Sequence, residues 1–211
     1  MIQAAVVGAN GYAGAELVRI LSGHPDVELT AITSRQYAGS AYDTIYPSLK
    51  NVVRLDCMQN DPEAIAQAAD AVFLALPHKV SMGMAPELVA AGKRVIDLSA
   101  DFRFSNRGAY ESHYQPHSCA QLLQQAVYGL CEVYGQQVKT AQLVGNPGCY
   151  PTSVLLPLLP LVTEHLVDPS TIIADSKSGV SGAGREATAT THFCHVNESF
   201  KAYKVGKHRH T

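Results

Sequence analysis

IQAAVVGANGYAG, residues Ile2 to Gly14, is the stretch whose reading decides the fold. Its first six residues, Ile2 to Val7, form an apolar run that reads as a buried strand, and glycines follow at positions 8, 11 and 14. Ala13, Leu17, Val18 and Leu21 then recur on one helical face, and Ser22-Gly23-His24-Pro25 ends that helix. A strand, a glycine turn and a helix form the opening of a dinucleotide site. The glycines let the backbone approach a pyrophosphate, and the helix N-terminus offers N–H donors to it. Gly8, Asn10, Gly11, Tyr12 and Gly14 are the expected contacts. The spacing is G-x-x-G-x-x-G rather than G-x-G-x-x-G, so a plain turn is the alternative reading.

The next strand, Val27 to Thr33, ends in Ser34-Arg35. An acidic residue at this place would take the ribose hydroxyls of NAD, whereas a hydroxyl and an arginine suit a 2′-phosphate, so NADP is the expected cofactor. Otherwise Arg35 is a solvated loop residue. Further on, strands are expected at Val52 to Leu55, Ala71 to Leu76 and Arg94 to Leu98. Helices are expected over Pro62 to Ala69 and over Lys79 to Ala91, the second interrupted by Pro86 and stopped by Gly92. This alternation predicts an α/β fold with a Rossmann-like, doubly wound parallel sheet. Pro77 sits at a strand end where such sheets bind ligands and is a candidate cofactor contact; His78 reads as a helix-capping surface residue, with a cofactor contact as the alternative.

DLSADFRF, Asp97 to Phe104, falls at another strand end. Arg103 suits a bidentate contact with a carboxylate or phosphate, oriented by Asp101; a loop ion pair holding its own turn is the competing reading. Ser105 to Ser118 is polar and reads as a long functional loop. His113 and His117 within it have i, i+4 spacing, but no third ligand accompanies them. Val127 to Glu132 reads as a short strand or turn.

GNPGCYPT, Gly145 to Thr152, hands an apolar strand, Ala141 to Val144, over to a helix at Ser153 to Val162 that carries two prolines. A cysteine at such a junction lies beside unpaired N–H groups and the positive end of a helix dipole, which favour a thiolate able to attack a carbonyl. The alternative is a buried small hydrophobe. Pro147-Gly148 fixes a tight turn and removes the side chain that would cover the sulfur of Cys149. Past this segment a strand is expected at Thr171 to Ser176. It leads to SKSGVSGAGR, whose hydroxyls, glycines, Lys177 and Arg185 suit an anion; a flexible linker is the alternative. His192, His195, His208 and His210 with the single Glu198 do not make a zinc fingerprint, and no metal is expected. The basic end, Lys201 to Arg209, reads as a solvated face.

The whole chain has 211 residues and a formal net charge of −2, so bulk charge does not point to nucleic acid or an anionic membrane. No apolar stretch reaches the ~18 residues of a membrane span, and the N-terminus lacks the features of a secretory signal. The five cysteines are scattered and never paired as CxxC, which fits a reduced, cytoplasmic protein.

GANGYAG, DLSADFRF, YGLCE, GNPGCYPT, SKSGVSGAGR and the final KHRHT together resemble N-acetyl-γ-glutamyl-phosphate reductase, the arginine-pathway member of the semialdehyde dehydrogenase group. The resemblance covers nearly the whole chain in order. It implies an NADP-binding domain over residues 1–148 and part of an α+β catalytic and dimerisation domain over residues 149–211. It implies Cys149 as nucleophile, with His210, or His208 after it, as acid and base. Ser178 and Gly179 join the expected cofactor contacts, and Arg103, Asn146, Lys177, Ser181 and Arg185 are the expected contacts of a small acyl phosphate substrate. The family's proteins continue beyond HRHT, so the chain reads as cut short and its exposed apolar surface as a source of association or instability; a homo-oligomer is expected at full length. Two other readings are an aspartate-semialdehyde dehydrogenase-like reductase, disfavoured by the NPGCYPT context, and a non-catalytic NADP-binding module.

Overall fold

A computed structural model describes residues 1–206. Contacts divide the chain into two units, Met1–Pro147 and a second that starts at Gly148.

The first unit is a six-stranded parallel sheet in the order β2-β1-β3-β4-β6-β5. In chain order it runs β1 (Ile2–Val7), α1 (Tyr12–Ser22), β2 (Val27–Thr33), α2 (Tyr42–Ile45), α3 (Pro62–Ala68), β3 (Ala71–Leu74), α4 (Ser81–Ala90), β4 (Arg94–Asp97), α5 (Arg107–Glu111), β5 (Ala126–Tyr128), α6 (Cys131–Thr140) and β6 (Leu143–Gly145). Alternate residues of β1 feed two cores. Ala4 and Val6 pack with Val18 and Leu21 of α1 and with Ile32 and Tyr42; Ala5 and Val7 pack with Ile65, Leu88, Val95 and Leu143. Burial on both faces is what a parallel sheet with helices on both sides requires. The chain reverses direction across the sheet between β1 and β3, so the crevice at their carboxyl ends is the topological switch point, the place where doubly wound folds bind ligands.

Several expectations are corrected. The buried face of α1 is Gly14, Val18 and Leu21, and Ala13 is exposed. Val52 to Leu55 is not a strand; the neighbouring backbone makes only single bridges, Thr33 to Met58 and Ala41 to Asp56. β3 stops at Leu74 rather than Leu76, and α4 begins at Ser81 rather than Lys79. Ser105 to Ser118 is not an open loop: it contains α5 and folds onto the core. Tyr110 is fully buried, stacks on Tyr114 at 4.9 Å and meets the edge of His117. Hydroxyls and ring nitrogens made this stretch look polar, but the rings supply apolar area for packing.

The second unit opens with α7 (Cys149–Thr163), and its described residues include two single 3-10 turns and the short helix α8 (Phe193–Val196). The expected strand at Thr171 to Ser176 is absent. A strand needs a ladder partner, and among the described residues this unit holds no other strand. Ile173, Phe193 and Phe200 are 92%, 70% and 80% exposed.

Gly14 is fixed by close packing: a Cβ there would collide with the carbonyl of Gly8 and stand 2.8 Å from the Cα of Ala9. Gly14→Val is expected to destabilise the first unit by about 1–3 kcal/mol through overpacking, read as a fall in the urea midpoint; an unchanged midpoint would contradict this packing.

Candidate active site

The carboxyl edge of the sheet gathers the chemistry of the first unit. Gly8, directly after β1, has φ +83°, and a Cβ on it would stand 2.5 Å from the carbonyl oxygen of Ala75 beyond β3. Gly11 is the N-cap of α1 and makes no side-chain cap, so the first N–H groups of the helix are left for a partner other than a capping side chain. A Cβ on Gly11 would meet only the Gly8 carbonyl, at 3.7 Å, so the turn is open on this side. The three glycines thus divide the work: a positive-φ turn, an open approach and close helix packing. That is the cradle a dinucleotide diphosphate requires, and the residues present fit NAD(P).

The turn is also held from within. Gly8 and Ala9 donate their N–H groups to the carbonyl of Thr33, and Gly11 donates to the carbonyl of Gly8. The hydroxyls of Tyr42 and Tyr46 donate to the carbonyls of Ala9 and Asn10, each at 2.8 Å. Sequence reading missed both tyrosines. Their contacts span 33 and 36 residues, and the four-residue α2 has no periodicity to reveal them. Ser34 is fully buried and its Oγ accepts from the N–H of Tyr37, so its hydroxyl is turned inward; Arg35 is exposed. Pro77 is exposed and opens the turn that follows β3, its carbonyl accepting the N–H of Val80.

DLSADFRF is organised differently from expectation. Asp101, fully buried, accepts from the backbone N–H groups of Lys79 and Met82 and from the Tyr110 hydroxyl. It therefore serves as a remote cap for the start of α4 and does not orient Arg103. Arg103 donates instead to the carbonyls of Asn146 and Leu98, at 2.6 and 2.7 Å. Its guanidinium thus joins the ends of β4 and β6, since Asn146 immediately follows β6 and its N–H donates to the Asp97 carbonyl. His78 does not cap a helix; its Nδ1 accepts from the N–H of Ala100. His117 is buried with Nε2 at 2.8 Å from the Asp101 carbonyl, whereas His113 is exposed, so the pair does not share a ligand site. Burial of Asp97 raises its pKa above the ordinary 3.8, against the opposing hydrogen bonds from Ser99. Burial likewise pushes the Cys119 thiol up to about 11.

In the second unit Cys149 is the first residue of α7 and is exposed, as are Cys194 here and Cys131 in the first unit; Cys57 and Cys119 are buried. The N-cap is Gly148, with no side-chain cap, and its carbonyl accepts both the N–H and the hydroxyl of Thr152. Pro151 lacks an N–H, so at the three opening positions only Cys149 and Tyr150 carry one. Lys177 pairs with Asp175 at 2.6 Å, and Ser178, Gly179, Ser181 and Arg185 lie on the exposed SKSGVSGAGR loop. His208 and His210 lie outside the described residues. Among the described residues no cluster of three metal-ligating side chains occurs, and no helix is long and apolar enough to cross a membrane.

Comparison with known proteins gives two family matches. The family described as semialdehyde dehydrogenase, NAD binding domain, matches residues 3–141, and semialdehyde dehydrogenase, dimerisation domain, matches residues 149–211. Proteins of Desulforapulum autotrophicum and Syntrophobacter fumaroxidans named N-acetyl-gamma-glutamyl-phosphate reductase are 58% and 54% identical over all of this chain. The chain spans 61% of the length of each. Among solved structures, aspartate semialdehyde dehydrogenase II of Vibrio cholerae matches with a TM-score of 0.58 at 18% identity, over 77% of this chain and 47% of that one. The aspartate semialdehyde dehydrogenase of Candida albicans, solved with NADP, matches with a TM-score of 0.55 at 20% identity, over 78% and 47%. These structural likenesses concern the fold.

Because the pKa of Asp97 is raised on folding, its contribution is fully present below pH 3.8 and is lost as the pH rises through the folded value. Asp97→Asn stays neutral and escapes that loss. Denaturant midpoints taken between about pH 3.5 and pH 7 are expected to fall for the unaltered chain relative to Asp97→Asn; parallel profiles would contradict a buried, raised carboxyl.

Proposed function

Because the chain belongs to the semialdehyde dehydrogenase family, we propose that it carries the NADPH-dependent reduction of N-acetyl-γ-glutamyl phosphate to N-acetylglutamate semialdehyde and phosphate, a step of arginine biosynthesis. The observation that carries this reading is the exposed Cys149 at the uncapped start of α7, in a chain that also has a glycine turn shaped for a dinucleotide. The names of the relatives at 58% and 54% identity support the choice of substrate. Residues 1–148 are assigned to NADP binding and residues 149–211 to catalysis and dimerisation, in a cytoplasmic homo-oligomer.

Gly8, Asn10, Gly11, Tyr12 and Gly14 would hold the diphosphate of the cofactor, with Pro77, Ser178 and Gly179 as further contacts. Arg35, exposed and with no carboxylate beside it at the end of β2, favours the 2′-phosphate of NADP. The thiol of Cys149 gives its proton to His210, or to His208, and the sulfur attacks the acyl carbon. The carbon–oxygen bond to phosphate breaks, phosphate departs, and a thioester remains on Cys149. NADPH, when bound, supplies the hydride that reduces this acyl carbon. The histidine then returns its proton to the sulfur as the carbon–sulfur bond breaks and the aldehyde is released. The N–H groups of Cys149 and Tyr150 are suited to stabilise the oxyanion. Lys177, Ser181 and Arg185 supply contacts for the substrate's anionic groups, and Arg103 with Asn146 shapes the strand ends that precede Cys149.

Cys149→Ser is expected to lower reduction of the acyl phosphate by at least about a thousandfold while NADPH binding stays at the level of the unaltered chain. Substantial residual turnover would remove Cys149 from the role of nucleophile.

A further inference from the structure

Three consecutive carbonyls of the glycine turn, those of Gly8, Ala9 and Asn10, all accept hydrogen bonds from within the protein. Gly11 takes the first through its backbone N–H, at 3.2 Å. Side chains take the other two, and both come from one turn of helix. Tyr42 opens α2 and Tyr46 is its C-cap, an i, i+4 pair whose rings lie 5.4 Å apart. Residues at that spacing stand one above the other on a helix surface, so the two hydroxyls reach adjacent carbonyls. Tyr42 and Ala9 are both fully buried, which fixes the Ala9 carbonyl toward the interior. Held by the phenols, these two oxygens already have donors, and the N–H of the Asn10–Gly11 peptide is likewise spent within the turn, on the Gly8 carbonyl. A diphosphate meeting this turn would otherwise face carbonyl oxygens that repel it.

We propose that Tyr42 and Tyr46 are positioning residues for nucleotide binding, holding the Ala9 and Asn10 carbonyls away from the diphosphate so that it meets the uncapped N–H groups that open α1 and not carbonyl oxygens. The proposal rests on the dinucleotide reading of the first unit. Neither phenol touches the ligand; each acts through the backbone it holds.

The test compares two ligands on the full chain. NADPH carries a diphosphate, whereas adenosine 2′-monophosphate keeps the adenine, ribose and 2′-phosphate and has none. Tyr42→Phe and Tyr46→Phe each remove one hydroxyl and leave the ring, and Tyr46, only half-buried, gives the variant least able to disturb folding. Each is expected to weaken NADPH binding about tenfold, read by nicotinamide fluorescence, and to leave binding of adenosine 2′-monophosphate, read by calorimetry, unchanged. NADPH binding that is unchanged in Tyr46→Phe, or equal losses for the two ligands, would overturn the positioning role, the second because it marks a general loss of structure. If the unaltered chain binds adenosine 2′-monophosphate but not NADPH, the positioning role falls; if it binds neither, the dinucleotide reading itself falls and takes this inference with it.

Discussion

Backbone has to pass against backbone at the carboxyl edge of the sheet, and the first unit depends on that close approach. Gly14 seats α1 on the turn that leaves β1, and Gly8 lets the same turn pass the carbonyl of Ala75. Further along the edge, Gly145 at the end of β6 leaves no room for a Cβ against the carbonyl of Phe102. Each contact brings strand ends and their following loops closer than side chains would permit. The result is an edge lined with backbone polar groups, and those groups set what it can bind. Where they point is controlled by other residues, chiefly Thr33, Tyr42 and Tyr46 for the first turn and Arg103 for the ends of β4 and β6.

Behind that edge lies a buried polar layer. Asp97 and Asp101 are both fully buried, and Ser99 bridges them by donating its hydroxyl to Asp97 and accepting the N–H of Asp101. Asp101 spends its oxygens on the start of α4 and on Tyr110. Buried carboxyl groups are tolerated only when their lone pairs are met, and here backbone N–H groups and hydroxyls meet them. This layer gives α4, β4 and the aromatic cluster around Tyr110 one shared anchor. It also separates Asp101 from Arg103 within DLSADFRF, and the two serve different partners.

Much of this architecture was legible from local signals. The strands from Ile2, Val27, Ala71 and Arg94, the glycine turn and the placement of Cys149 between a strand and a helix follow from apolar runs punctuated by Gly and Pro. What stayed hidden depends on long-range pairing. Asp101 faces Lys79 and Met82 rather than its neighbour Arg103, and nothing in DLSADFRF announces that partner. Ser34 is buried and its hydroxyl oxygen accepts the Tyr37 N–H, which sequence alone does not say. The stretch at Thr171 to Ser176 has the composition of a strand but, among the described residues, no strand of its own unit to pair with. Tyr110, Tyr114 and His117 read as loop polarity and prove to be packing.

The central claim is that the sulfur of Cys149 is the atom to which the acyl group is transferred. The most direct measurement is peptide mass mapping after the chain is exposed to N-acetyl-γ-glutamyl phosphate with no reductant present. An N-acetylglutamyl thioester on Cys149, absent from the other four cysteines and discharged when NADPH is added, is the predicted result. Acylation of another residue, or release of phosphate with Cys149 left unmodified, would contradict it.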